Sequence, residues 1–160
     1  FSFSRSKIQI FMCNFTLELQ HMDKKEILAG FNASCKDTLM ESLDIEFVDL
    51  GDDFLTAKMP VTSKVYQPYG QLHGGATAAL AESVGSAASH FFIDSKNHFI
   101  NGIQLSINHI KSKREGMVFA TAKNIHKGKS THLWEVTIID EEGMLIAVAK
   151  MTNIILEKRK

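Results

Sequence analysis

The segment LHGGATAALAESVGSAAS, from Leu72 to Ser89, constrains this chain more than any other stretch. Its alanine content and length predict a helix from about His73 to Phe92. A surface helix alternates charged and apolar faces. This one is almost entirely Ala, Gly and Ser, so it reads as buried and closely packed by its neighbours. One charge interrupts it, Glu82. Helical spacing puts Ala78, Ala79, Gly85 and Ser86 beside Glu82, with Gly75 two turns back. Those small side chains leave room at the carboxylate. No Lys or Arg stands three or four positions away, and a buried charge is costly unless it is paired or used. A purely structural Glu82 would meet a distant Arg, a backbone donor or water. The small residues around it, and the motif upstream, favour a reactive carboxylate instead.

That motif is His73-Gly74-Gly75, at the predicted start of the helix. A helix N-terminus presents free N–H groups and a partial positive charge. Glycine lets a ligand approach those groups closely. Such donors suit a carbonyl oxygen that gains charge during reaction. Taken singly, Gly74-Gly75 is a tight turn and His73 a capping or core histidine. The combination says more: a polar loop with Gln67, then His-Gly-Gly, then Glu82 further along the helix.

The remaining elements surround this helix. Asp23 is a candidate cap for a short helix with Ile27, Leu28 and Phe31 on one face. Asp44–Leu50 and Phe54–Met59 read as strands joined by Gly51-Asp52-Asp53. Residues 61–72 are polar and turn-rich. After the helix the period changes to two, with Ile103, Leu105 and Ile107 alternating with Gln104, Ser106 and Asn108. Strands Met117–Ile125, Leu133–Asp140 and Met144–Leu156 follow, separated by turns at Arg114-Glu115-Gly116, His126–Ser130 and Glu141-Glu142-Gly143. Consecutive strands with short turns make an antiparallel sheet, and one long helix against it is an α+β architecture.

Composition removes several function classes. At 160 residues the chain is one ordinary domain. Lys+Arg and Asp+Glu both number 18, so the basic excess of a nucleic-acid binder is missing. No apolar run approaches the roughly 18 residues that span a bilayer. The two cysteines, Cys13 and Cys35, make no disulfide framework. The seven histidines fall in no metal-binding spacing. There is no phosphate-binding glycine loop, and Gly85-Ser86-Ala87 lacks the pattern of a serine elbow. Residues 1–22 read as an N-terminal extension of unknown role, and 23–160 as the domain. Arg5, Lys7 and Ile8–Cys13 imitate a signal peptide only faintly. The protein is expected to be cytoplasmic, which leaves the sequons at Asn14 and Asn32 without meaning.

Gln67-Pro68-Tyr69-Gly70, His73-Gly74-Gly75 and Leu80-Ala81-Glu82-Ser83 with Gly85-Ser86 resemble the hotdog-fold acyl-CoA thioesterases. The similarity is to the branch that uses a helix glutamate. That branch holds 4-hydroxybenzoyl-CoA thioesterase, the phenylacetate-pathway thioesterases and 1,4-dihydroxy-2-naphthoyl-CoA hydrolase of menaquinone synthesis. Asn108 to Ser112, Arg114-Glu115-Gly116, and His126-x-Gly128 followed by Trp134 fit the last of these, and the resemblance covers about residues 40–157.

The resemblance implies a hotdog fold, an antiparallel sheet wrapped around one long helix. It implies hydrolysis of an aromatic acyl-CoA thioester. Glu82 would be nucleophile or general base, and the Gly74 amide would hold the thioester oxygen. Gln67 and His73 would polarise or position the thioester, and Ser86 would orient Glu82 or the water. Gly75, His109, Lys111, Lys129 and Ser130 would contact substrate or coenzyme A, although other members often carry Arg or His where Ser130 and Thr131 stand. No metal or cofactor is needed, since coenzyme A is part of the substrate. A homodimer or homotetramer with shared sites is implied, so Gln67 and Glu82 need not act from one chain. Two rivals use related folds: a hotdog acyl-thioester dehydratase or hydratase, and a non-catalytic acyl-CoA binder. The first usually pairs His with Asp or Glu in a different motif. The second would be expected to lose the carboxylate.

Overall fold

A computed structural model describes residues 23–158. The extension 1–22, with Cys13 and the Asn14 sequon, lies outside the described residues. In chain order the elements are helices α1 (Lys24–Ser34) and α2 (Leu39–Ser42), strands β1 (Glu46–Leu50), β2 (Phe54–Pro60), β3 (Tyr66–Gln67) and β4 (Gln71–Leu72), helix α3 (Gly74–Phe91), and strands β5 (His98–His109), β6 (Met117–Lys127), β7 (Thr131–Asp140) and β8 (Leu145–Glu157). Six strands form one sheet in the order β1-β2-β6-β7-β8-β5, every neighbouring pair antiparallel. β3 and β4 form a separate small hairpin that turns at Gly70, whose φ of 68° only glycine adopts freely. The sheet wraps α3, which is the α+β hotdog arrangement that the resemblance implied.

α3 sits on the sheet through Thr77, Leu80, Ala81, Val84, Gly85, Ala88 and Ser89, all buried at the three-and-four spacing of one helix face. The sheet answers with Ala57, Met59, Val118, Ala120, Ala122, Trp134, Val136, Ile138 and Met151, each fully buried. The opposite helix face, with Ala78, Ala79, Glu82, Ser83, Ser86 and Ala87, is only half-buried. The helix is therefore not buried all round, as its composition suggested. Small residues serve both faces for different reasons: close packing on one, open space on the other.

A buried polar network locks the helix in place. Trp134 Nε1 donates to Ser89 Oγ at 2.7 Å. Asn153 Nδ2 donates to the same oxygen at 2.6 Å and to the Gly85 carbonyl at 3.0 Å.

Several boundaries differ from the sequence reading. α2 was not foreseen; Thr38 caps it by accepting from the Met40 amide at 3.2 Å. Asp23 stands at the start of α1, yet its carbonyl and not its side chain takes the Glu26 and Ile27 amides. β6 runs on to Lys127 through a bulge between Asn124 and His126, so the predicted turn shrinks to Gly128–Ser130. Ile103 does not join Leu105 and Ile107 on the inner face, because β5 is also bulged there. Asn32 bonds both backbone groups of Phe47, accepting its N–H at 2.7 Å and donating to its carbonyl at 2.9 Å. Its amide is thus engaged inside the fold and caps the outer edge of β1.

Ser89→Ala removes an oxygen that satisfies two buried donors. Stranding them costs about 1–3 kcal/mol. Thermal unfolding is expected to show a lower melting temperature in that variant, with the fold retained.

Candidate active site

The helix start is the better-defined half of the site. Four N–H groups at a helix N-terminus lack helical partners. Here His73 Nδ1 accepts the Gly75 amide at 2.7 Å. The His73 carbonyl takes the amides of Ala76 at 3.0 Å and Thr77 at 3.2 Å. The Gly74 amide has no hydrogen-bond partner among the described residues. One donor is therefore left open at the positive end of the helix. An imidazole that accepts at Nδ1 carries its proton on Nε2, so His73 has a second donor to offer.

A cleft of about 390 Å³ opens at this point, lined by Gln67, His73, Gly74, His109, Lys111 and Ser112 among others. A Cβ on Gly74 would lie 2.9 Å from His109 Nε2. Glycine is what allows His109 to cross the helix end. The loop bearing Gln67 is tied to the strand β5–β6 connection. Leu72 N donates to the Lys113 carbonyl at 2.7 Å, Arg114 Nη1 donates to the Tyr69 carbonyl at 3.2 Å, and Tyr66 donates to the Arg114 carbonyl. Gln67 Oε1 accepts the Tyr69 amide at 3.3 Å, which leaves the Gln67 amino group as a donor. Lys113 is held between Asp140 at 3.1 Å and Glu141 at 2.9 Å. Lys111 is exposed and makes no ion pair among the described residues.

Glu82 lies on a different face of the same helix. With Ser83, Ser86, Ala87 and His90 it lines a second cavity of about 410 Å³. Phe31, Met40, Phe47 and Ile100 supply the apolar walls. Burial disfavours the charged carboxylate and raises the Glu82 pKa. No hydrogen bond or ion pair reaches its oxygens among the described residues. The same burial, with the charge of Lys158 second, lowers the pKa of His90.

One chain thus brings Gln67, His73, Gly74, His109 and Lys111 together, and separately Glu82 with Ser86. Gly75, expected to contact substrate or coenzyme A, has its amide engaged by His73. Lys129 and Ser130 stand at the other end of α3. Their turn abuts β8 through the Ile155 amide, which donates to the Ser130 carbonyl at 2.9 Å, and neighbouring Lys127 covers Phe92 at the helix C-terminus. An 18-residue helix spans about 27 Å. Within one chain these two do not join His109 and Lys111. The sequence reading missed Phe31, Met40, Phe47 and His90 at the second cavity. His90 was findable, eight positions after Glu82 and four after Ser86. The other three come from distant elements. Among the described residues no group of three or more His, Cys, Asp or Glu side chains could hold a metal ion.

An open amide donor and a carboxylate without a partner among the described residues are parts suited to adding water to an acyl group. The wrapped helix and these parts define a hotdog hydrolase. The family model described as Thioesterase superfamily matches residues 69–147. The 1,4-dihydroxy-2-naphthoyl-CoA hydrolase of Escherichia coli is 39% identical over 133 residues, 83% of this chain and 97% of that protein. The proofreading thioesterase EntH of Cronobacter turicensis is 36% identical over 129 residues, 81% of this chain and 93% of that protein. The crystal structure of a variant of thioesterase PA1618 from Pseudomonas aeruginosa aligns with a TM-score of 0.81 at 36% identity, over 87% of this chain and 97% of that one. The chain belongs to the thioesterase superfamily, and is a thioester hydrolase.

His73→Ala unties the Gly75 amide. The lost cap is expected to destabilise the protein by about 0.5–2 kcal/mol in denaturant titration. Turnover should fall as well, but less completely than on loss of Glu82.

Proposed function

We propose that the protein hydrolyses an aromatic acyl-CoA thioester to the free acid and coenzyme A. The observation that carries this reading is the unpaired, half-buried Glu82 at the wall of an apolar cavity. Glu82 attacks the thioester carbonyl, or draws a proton from the attacking water. The Gly74 amide receives the oxyanion, with Gln67 and His73 positioning the carbonyl. Ser86, on the Glu82 face, orients the carboxylate or the water. A thioester is already activated, so a carboxylate and one good donor suffice. His109 and Lys111 at the cleft are placed to meet coenzyme A phosphates; Lys129 and Ser130 take that role only from a second chain. The relatives' names support the substrate class: one acts on 1,4-dihydroxy-2-naphthoyl-CoA, which makes an aryl group the first to test. A cytoplasmic site of action fits a coenzyme A substrate.

The two half-sites open from different cavities of one chain. They meet if a second copy joins at β5, the open sheet edge, where Phe99, Ile103 and Ile110 are exposed. The working unit is then a homodimer or a homotetramer. Light scattering is expected to give at least a dimer; a stable monomer with full activity would contradict this.

Free-thiol release from naphthoyl-, benzoyl-, phenylacetyl- and straight-chain CoA thioesters tests the reaction, with wild type and Glu82→Gln side by side. Fast release from an aryl-CoA, lost in the variant, is the expected result. An unchanged Glu82→Gln enzyme would remove Glu82 from the mechanism. Tight coenzyme A binding without release would favour the binder or lyase readings.

The pH dependence has a definite sign. The reactive form is the carboxylate, so kcat/KM should rise with pH through a pKa above the usual glutamate value of 4.5. The same raised pKa means that the folded state holds the proton more tightly than the unfolded state. Glu82 therefore lowers stability as pH rises through that window. Glu82→Gln should be more stable than wild type above it, and the difference should vanish below pH 4.5.

A further inference from the structure

β5 changes the parity of the face it shows to α3 halfway along its length. Ile100 and Gly102 pair with Ile155 and Asn153, and Asn153 points inward to the Gly85 carbonyl. After Gly102 the register slips by one residue, and Gln104 pairs with Thr152. From there Leu105, Ile107 and His109 stand opposite the buried Met151, Ala149 and Ala147. An unbulged strand would carry either Gly102 or His109 on the outer face, because side chains alternate. The one extra residue, Ile103, puts both inside and is itself 56% exposed. Gly102 thereby reaches Glu82, and His109 reaches Gly74.

The approach at Gly102 is tight. A Cβ there would lie 2.2 Å from Glu82 Oε1, 3.2 Å from its Cδ and 2.6 Å from Met151 Cε. Met151 is fully buried and already wedged at Gly85, where a Cβ would meet its Cγ at 2.9 Å. The methionine has little room to retreat, so the carboxylate is the group that must move. We propose that Gly102 is a positioning residue for Glu82: the bare backbone of β5 is the seat that sets the direction of the carboxylate, and the Ile103 bulge holds that seat on the inner face. This rests on the reading of Glu82 as the reacting group.

Gly102→Ala is expected to lower kcat roughly 100-fold, as a displacement of about 1 Å at a reacting group does, with KM within a few-fold of wild type. Glu82→Asp withdraws the carboxylate by one methylene and relieves the overlap. In the Glu82→Asp enzyme, adding Gly102→Ala should therefore cost little further activity, so the two losses do not multiply. Met151→Ala frees the Cε position without freeing Oε1. It should leave kcat of the Gly102→Ala enzyme low even if it restores a reduced melting temperature. Multiplying losses in the first pair, or recovery of kcat in the second, would overturn the proposal. So would full turnover of Gly102→Ala when Glu82→Gln is inactive. If Glu82→Gln is itself fully active, the failure lies in the assignment of Glu82, and the seat at Gly102 falls with it.

Discussion

Small side chains meet small side chains where α3 crosses the sheet. Ala81, Gly85 and Ala88 on the helix face a floor that includes Ala57, Ala120, Ala122 and Ala149. Close-packed interiors tolerate no gaps, so small residues on both sides bring helix and sheet near each other. Larger side chains fill the rest of the contact: Met151 lies against Gly85, and Trp134 reaches Ser89. Everything at the site inherits this separation. It brings the second helix face within reach of β5, and so lets a backbone glycine touch Glu82. It also brings Asn153 and Trp134 to Ser89, which fixes the helix against sliding.

Against that rigid frame the two polar features are left incomplete in complementary ways. Among the described residues the helix start has one unmet donor, at Gly74, and the middle of the helix has one unmet carboxylate, at Glu82. The Gly74 amide opens onto the cleft, and burial makes the charged form of Glu82 costly. Each is also of the right sign for a reaction in which charge builds on a carbonyl oxygen while a proton or an electron pair moves from the carboxylate side.

Much of this was legible in the sequence, and for identifiable reasons. The α3 motif was readable because its small-residue content is extreme and one charge stands out against it. The strands after it were readable from alternation and from glycine turns. The two failures in β5 and β6 share a cause: a bulge inserts one residue, and alternation counted along a single strand cannot see the partner that reveals the slip. Ile103 was grouped with Leu105 and Ile107 for that reason. The apolar walls of the Glu82 cavity were invisible for another: Phe31, Met40 and Phe47 come from α1, α2 and β1, which only tertiary packing brings to α3. The separation of Gln67 from Glu82 was anticipated from family resemblance, whereas that of Lys129 from Lys111 needed the path of the chain along the helix.

The amide of Asn32 has a consequence for how the sheet can grow. By meeting both backbone groups of Phe47 it stands in for the next strand at the β1 edge, and the bulge between Phe47 and Asp49 bends what remains. Among the described residues the β5 edge carries no such stopper across its twelve residues. A sheet that is sealed on one side and open on the other has polarity as a building unit. If two such units join at their open sides, they expose only sealed ones, and addition ends after one step instead of running on as at the unguarded edges that make fibrils.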